Sequence, residues 1–127
     1  MTLTAPSYSI SQVAELTGLS AHALRSYERA GLMLRPIVRA SSTHRRYNDA
    51  DVRWVGFLTK LRSTGLPIAR LRQYVDLARE GESTVPDRLE LLLLHRISVT
   101  AQLAVMTESL AAIDFKIATY QGRTPTE

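Results

Sequence analysis

The residue types that most often carry catalysis or bind metals are few and scattered in this sequence. The 127 residues contain no cysteine, which excludes disulfides, thiolate metal sites and a cysteine nucleophile. The three histidines, His22, His44 and His95, are widely spaced and do not form an HxxxH or HExxH pattern. No glycine-rich phosphate loop and no nucleophile–base pairing is visible. The sequence therefore predicts neither an enzyme nor a metal or cofactor site.

Positive charge is concentrated in the first part of the chain. Residues 1–80 carry 12 Lys and Arg against 6 Asp and Glu, whereas residues 81–127 carry 4 against 6. A basic segment of this kind is suited to a polyanion such as nucleic acid. The longest strictly apolar runs, such as that at 91–94, have four residues and are far shorter than a membrane span, and no secretory signal is visible at the N-terminus. We therefore expect a cytoplasmic protein without a membrane partner.

The first thirty residues predict two short helices joined by a three-residue turn. Ser11 is placed to cap the first helix, with Val13, Ala14 and Leu16 on its inner face. Gly18 can end that helix in the left-handed conformation, and Ser20 can cap a second helix over residues 21–30. Two short helices around a glycine turn are the outline of a helix-turn-helix.

The pattern then changes from helix to hairpin and back to helix. Residues 32–47 alternate apolar and basic side chains around a polar tip, which predicts a small β-hairpin, or wing. Asn48 and Asp51 have the spacing of a capping box and open a third helix over 49–63. A fourth helix is predicted over 68–80.

A heptad pattern extends from Pro86, a residue suited to the first turn of a helix, to Tyr120. Apolar or aromatic residues occupy nine of the ten seam positions, and Arg96 is the exception. The predicted dimerisation seam is Leu89, Leu92, Arg96, Val99, Leu103, Met106, Leu110, Ile113, Ile117 and Tyr120.

Such a helix needs a partner for its apolar stripe. Its seam would be about 48 Å long at 1.5 Å per residue, which exceeds the roughly 30 Å diameter of an 80-residue head. Folding back onto the head is the alternative, but a second copy would bury the seam better and fix the distance between two heads. Arg96 could pair with a carboxylate across the dimer, set the helix register or bind a small anion.

Four sequence motifs in this order resemble the MerR family of bacterial transcription regulators, and the resemblance covers essentially the whole chain. They are YSISQVAELTGLS at 8–20, ALRSYERAGL at 23–32, RRY at 45–47 and LRSTGLPI at 61–68. The resemblance implies a mainly α fold, with a winged helix-turn-helix head followed by a long C-terminal helix that forms an antiparallel coiled coil. We assign residues 1–80 to the head, 81–85 to a hinge, 86–120 to the dimerisation helix and 121–127 to a flexible tail.

The resemblance also implies which residues contact double-stranded DNA. Arg25 and Tyr27 match the family's contacts from the second helix, and Arg46 and Tyr47 match its backbone-clamping pair. Tyr27 could equally be a core residue, and Arg25 and Arg46 could be solvated surface. The full set of expected DNA contacts is His22, Arg25, Ser26, Tyr27, Arg29, Arg45, Arg46, Tyr47, Lys60 and Arg62.

This sequence departs from the family pattern at three places. Ser26 replaces the usual aromatic residue or histidine, and His44 stands where tyrosine usually precedes the Arg-Arg-Tyr motif. The end of the long helix, IDFKIATY at 113–120, is similar to the aldehyde- and thiol-stress branch. That branch commonly has a cysteine in its third helix, whereas 57–60 reads FLTK here. The resemblance in form therefore does not imply the same thiol chemistry.

By resemblance we expect a homodimer that binds a pseudo-palindromic promoter site and distorts the DNA so that RNA polymerase can engage it. The alternatives are an effector-independent repressor and an architectural DNA-binding protein. Only seven residues follow Tyr120, so we expect no separate effector domain there. The sequence identifies no small-molecule effector.

Overall fold

The computed structural model describes residues 7–35, 38–39 and 45–122. Most of these residues are helical, as predicted, and a two-stranded antiparallel sheet lies between the second and third helices. The elements in chain order are α1 (Ile10–Thr17), α2 (Ala21–Arg29), β1 (Val38–Arg39), β2 (Arg45–Arg46), α3 (Asp49–Ser63), α4 (Ile68–Arg79), a short 3₁₀ turn (Glu82–Thr84) and α5 (Val85–Tyr120).

The N-terminus of α1 is capped by Ser9, so the prediction of Ser11 as the cap was wrong. The Ser9 hydroxyl accepts a hydrogen bond from the Gln12 backbone N–H at 3.2 Å, and the Gln12 side chain accepts one from the Ser9 N–H at 2.8 Å. A capping box needs, three residues after the cap, a side chain that can accept from the N–H of the cap residue, most often Gln or Glu. Ser9 has Gln12 at that position, whereas Ser11 has Ala14.

Leu16 was also wrongly assigned to the inner face of α1, because its side chain is 61% exposed. The face that packs on the core is formed by Ile10, Val13 and Ala14, with Val13 fully buried. At 100° per residue, Leu16 lies well to the side of that stripe. Because α1 has only two turns, one face of it packs on the core and the side that carries Leu16 stays in solvent.

Three other predicted helix ends are confirmed by local hydrogen bonds. Gly18 has a φ of 77° and donates its N–H to the Ala14 carbonyl at 2.9 Å, ending α1 in the left-handed conformation. The Ser20 hydroxyl accepts from the Ala23 N–H at 3.0 Å at the start of α2. Asn48 and Asp51 form the predicted reciprocal capping box of α3.

The wing is an antiparallel pair in which Val38 lies opposite Arg46 and Arg39 opposite Arg45. Its tip, residues 40–44 with His44, lies outside the described residues. Next to the pair, Tyr8 and Tyr47 form a β-bridge with two backbone hydrogen bonds of 2.7 and 2.9 Å. The segment before α1 is thereby tied to the residue that follows the wing.

One apolar core connects the helices of the head. Its central cluster is Val13, Leu24, Met33, Tyr47 and Val55. The buried apolar side chains of α3 and α4 are Val55, Leu58, Leu61, Leu71, Tyr74 and Val75. The Tyr74 ring stacks on the Trp54 ring and lies tilted against the Phe57 ring, with centroid distances of 5.9 and 5.8 Å. These ring contacts fix α4 against α3.

The first turns of α5 bond to the segment that precedes them. The Arg88 guanidinium donates to the Gly81 carbonyl at 2.7 Å and to the Thr84 hydroxyl at 3.1 Å. The chain divides into two compact units between Leu89 and Glu90, so the first turn of α5 belongs with the head. The assignment of 81–85 as the hinge stays a prediction.

From Glu90 onward, most of the large apolar side chains of α5 are exposed. Besides the heptad seam, a second and mostly small apolar line follows the opposite face. It consists of Leu94, Ile97, Ala101, Ala104, Ala111, Phe115 and Ala118. By length and composition, the helical segment Glu82–Tyr120 is therefore long and apolar enough to cross a membrane.

We expect the stability of the head to depend on Leu58 and not on Leu16. Leu58→Ala removes a fully buried side chain and should lower the free energy of unfolding by about 2–5 kcal/mol. Leu16→Ala removes the same atoms from an exposed position and should change it by less than about 0.5 kcal/mol. Urea unfolding followed by circular dichroism measures both. Equal losses would contradict the described core.

Candidate nucleic-acid interface

The exposed face of α2 carries a row of polar and basic side chains. His22, Arg25, Ser26 and Arg29 recur every three or four residues and therefore share one side of the helix. His22 and Arg29 are exposed, whereas Arg25 and Ser26 are half-buried. On the other side of α2, Leu24 is fully buried in the core. The helix thus presents hydrogen-bond donors to solvent while one side chain anchors it.

Two of these residues are bonded to each other. The Arg29 Nη2 donates to the Ser26 hydroxyl at 3.1 Å, one turn earlier on the helix. A guanidinium group has five N–H donors, so this bond orients Arg29 and leaves donors for a ligand. Ser26, the position at which the sequence departs from the expected pattern, therefore positions a neighbouring arginine.

Tyr27 is half-buried, and its backbone carbonyl accepts from the Leu32 N–H at 3.0 Å. Its ring is therefore not enclosed in the core as the ring of Tyr47 is. The burial of Tyr27 is compatible with contact to a ligand at the edge of the α2 face.

The three expected residues at the end of the wing lie in different environments. The Arg46 Nη2 donates to the Ser7 hydroxyl at 2.8 Å on an exposed surface. Tyr47 is 1% exposed and belongs to the core cluster, because successive residues of a strand point to opposite faces. Arg45 is placed in β2 by its backbone, and its side chain lies outside the described part of the chain. We leave Tyr47 out of the surface proposed below.

Lys60 and Arg62 lie in the last turn of α3, and both are exposed. The Arg62 Nη1 donates to the Leu66 carbonyl at 2.8 Å and so supports the turn between α3 and α4. A cation at the C-terminal end of a helix also interacts favourably with the helix dipole. Because the Arg62 guanidinium already bonds a carbonyl, the Lys60 ammonium group is the better candidate for a phosphate contact.

Three side chains that the sequence analysis missed hold the chain segment that follows α2. The Arg72 Nη1 donates to the Ala30 carbonyl at 2.9 Å, and the Trp54 Nε1 donates to the Leu32 carbonyl at 2.8 Å. We call the set Trp54, Arg72 and Arg79 the carbonyl clamp.

Arg79 bonds the two remaining carbonyls of the segment. Its Nη2 donates to the Gly31 carbonyl at 2.6 Å and also to the Met33 carbonyl. Four consecutive carbonyls, at residues 30–33, are thus bound by side chains of α3 and α4. A possible signal in the sequence was the spacing of Arg72 and Arg79, seven residues apart and hence on one face of α4.

Tyr8 has the one resolved pKa shift among the described residues. Its hydroxyl donates to the Asp49 carboxylate at 2.7 Å, and this bond, together with burial and the charge of Asp49, raises the pKa of Tyr8 above its ordinary value of 10.0. A raised pKa in the folded state gives stability that is present below pH 10 and lost as the pH rises further. The bond joins the segment before α1 to the first turn of α3.

Within the described ranges, no three His, Asp or Glu side chains are close enough to hold a metal ion.

Comparison with known proteins decides the family. Residues 8–78 match the MerR HTH family regulatory proteins. The chain belongs to the MerR family. An uncharacterized HTH-type transcriptional regulator of Haemophilus influenzae is 31% identical to this MerR protein over 114 residues, which cover 90% of this chain and 84% of that one. The HTH-type transcriptional regulator AdhR of Bacillus subtilis is 42% identical over 83 residues, covering 65% of this chain and 59% of AdhR.

Solved MerR structures share the fold over most of the chain. A MerR-family regulator from Listeria monocytogenes superposes with a TM-score of 0.79 at 41% identity, covering 91% of this chain and 86% of that one. HiNmlR is a MerR-family regulator that lacks the sensor domain and is bound to promoter DNA. It superposes with a TM-score of 0.85 at 29% identity, covering 91% of this chain and 87% of that one. The prediction of a MerR-type DNA-binding transcriptional regulator with a helix-turn-helix head and a long C-terminal helix is confirmed.

We expect Arg25 to be essential for DNA recognition by this MerR protein. Arg25→Ala should abolish a gel shift with the promoter DNA upstream of the protein's own gene, because it removes a planar donor pair from the exposed face of α2. Arg96→Ala, which also removes one positive charge but in α5, should largely keep the shift. If Arg25→Ala bound like the wild type, α2 would not be the reading element.

Proposed function

We propose that this MerR-family regulator binds a pseudo-palindromic promoter site as a homodimer and distorts the DNA so that RNA polymerase can engage the promoter. The observation that carries the proposal is the pairing of two features in one chain. The head exposes a basic recognition face on α2, and α5 exposes an apolar seam of the length that a dimer needs.

The α2 face is suited to the major groove of DNA. The groove admits an α-helix, and an arginine can bond the O6 and N7 atoms of guanine through two N–H groups. Arg25 and Arg29 supply such groups, and His22 and Ser26 add shorter donors beside them. We assign base reading to these four residues, with Tyr27 at the edge of the contact.

Phosphate contacts would flank the groove. Arg45 and Arg46 lie at the base of the wing, and Lys60 and Arg62 lie at the end of α3. Contacts of this kind fix the position of a protein on the duplex and make its affinity depend on salt. A dimer doubles their number without any new residue.

The dimer contact is proposed to be an antiparallel coiled coil of α5 with the α5 of a second copy. Leu103 and Met106, near the middle of the seam, are 64% and 69% exposed, so a single chain leaves them in water. An antiparallel pairing that aligns the whole seam places Leu103 opposite the partner's Met106. It also places Arg96 opposite the partner's Ile113 and one residue from the partner's Asp114, which offers the charge in the seam an opposite charge.

By its length and composition alone, α5 could also span a membrane. It would place Arg96 and Glu108 in hydrocarbon, and a charged residue at the centre of a span costs about 2.5–3.5 kcal/mol. In a coiled coil in water the same residues can pair or reach solvent. The proposal therefore locates the protein in the cytoplasm, where its DNA partner is.

We expect a single charge in the seam to break the dimer. Leu103→Glu puts a carboxylate into the proposed interface and should convert the dimer to a monomer in sedimentation-velocity experiments at micromolar concentration. It should also weaken DNA binding, since only one half-site is then held at a time. The matched control is Ala101→Glu, which adds the same charge two residues away on the opposite face.

Ala101→Glu should remain a dimer. A wild-type protein that sediments as a monomer, or a Leu103→Glu variant that stays dimeric, would contradict the proposed seam.

A further inference from the structure

The orientation of α2 depends on a small number of contacts. Among its nine residues, Leu24 is the buried one, so a single side chain anchors the helix in the core. One anchor leaves a helix free to rock about that point unless its ends are fixed. At the N-terminal end, the Ser20 hydroxyl caps the helix, but this bond is local to α2 and ties it to no other element. At the C-terminal end, the carbonyl clamp supplies bonds from α3 and α4.

We propose that Arg72 and Arg79 are positioning residues for DNA recognition: they hold the end of α2 and the start of the wing in one arrangement without contacting DNA themselves. The inference rests on the DNA surface proposed above, because it concerns the angle at which that surface meets the groove.

The end of α2 requires such partners for a physical reason. The last carbonyls of a helix have no intrahelical N–H partner, and buried or half-buried carbonyls need a donor. Gly31, with a φ of 72°, turns the chain at this point and directs successive carbonyls to different sides. Bonds from a charged guanidinium are stronger than neutral ones and also favour the negative end of the helix dipole.

Arg79 constrains the segment more than a single bond would. Its Nη2 lies between the carbonyls of Gly31 and Met33, on either side of the Leu32 carbonyl that Trp54 binds. Asp76, one turn earlier on α4, lies 3.9 Å from the Arg79 Nη1 and helps to direct the guanidinium. Residues 30–33, which follow α2, are thereby attached to α3 and α4.

The same helix offers a matched control. Arg70 is also exposed, but its guanidinium bonds Gln73 within α4, at 2.9 Å, and among the described residues it bonds none of α2 or the wing. Replacing Arg70, Arg72 or Arg79 by Gln removes one positive charge in each case. A general electrostatic effect would therefore be common to all three variants, whereas a positioning effect would be confined to the last two.

The experiment compares Arg79→Gln, Arg72→Gln and Arg70→Gln by fluorescence anisotropy. The probes are a labelled duplex that the wild type has selected from a random pool and a scrambled duplex of the same composition, each titrated at several salt concentrations. We expect Arg79→Gln to lose about tenfold in affinity for the selected duplex, as when one base contact is lost, with a smaller loss for Arg72→Gln. For Arg79→Gln and Arg72→Gln, the affinity for the scrambled duplex and the slope of affinity against salt concentration should equal those of Arg70→Gln.

A contact with phosphate would give a different result. It would weaken binding to both duplexes equally and lower the log–log salt slope by about 1 relative to the control. That outcome, or unchanged discrimination between the two duplexes in both clamp variants, would overturn the inference. If the wild type enriched no duplex from the pool, the proposed function would fail, and this inference with it.

A spectroscopic signal separates positioning from loss of folding. The chain has a single tryptophan, Trp54, whose indole N–H bonds the Leu32 carbonyl inside the clamp. The indole proton of the DNA-free protein should shift in Arg79→Gln and stay in place in Arg70→Gln. Thermal unfolding shows which variants fold. If Arg79→Gln does not fold, the test uses Arg72→Gln, which removes a bond to only one carbonyl. An unshifted indole proton in every clamp variant that folds would overturn the inference.

Discussion

A helix that is anchored by one buried side chain can serve as a reading element only if its ends are held, and this constraint governs the head of the protein. Leu24 supplies the anchor of α2 in the core. Ser20 caps the start of α2 through a local bond, and the four carbonyls after its other end are bonded by Trp54, Arg72 and Arg79 of α3 and α4. The exposed face of α2 can therefore carry polar residues chosen for a ligand, because its packing is provided elsewhere.

The two units of the chain divide the work of recognition. The head has the basic and polar side chains, and each of the phosphate contacts proposed for it would be weak and would depend on salt. The helix from Glu90 onward has little charge and a long apolar seam, which is suited to joining two copies. Joining two weak heads raises the overall affinity without a new contact, provided that their separation matches the two half-sites. The proposed dimer is thus what makes a small head sufficient for a promoter site.

Local features of this fold could be predicted from the sequence, and tertiary ones could not. Gly18, the Ser20 cap and the ends of α3 follow from residues within a few positions of each other. Leu16 was misassigned because its exposure depends on what packs beside α1. The carbonyl clamp was missed because its donors lie 22 to 48 residues from the carbonyls that they bind, and the spacing of Arg72 and Arg79 indicates only that the two share a face of α4. The family was recognisable from four ordered motifs, but the distinction between a DNA contact and a core residue at Tyr47 required the fold.

The central claim is that α2 reads bases in the major groove at two symmetric places. It is tested most directly by replacing guanines one at a time with 7-deazaguanine in a duplex selected by the wild type, which removes the N7 acceptor from the major groove and leaves the minor groove intact. The account predicts two clusters of sensitive guanines related by two-fold symmetry, whose sensitivity disappears when Arg25 is replaced by alanine. Uniform insensitivity in the major groove, with losses of affinity confined to inosine substitutions that remove the minor-groove N2 amino group, would contradict it.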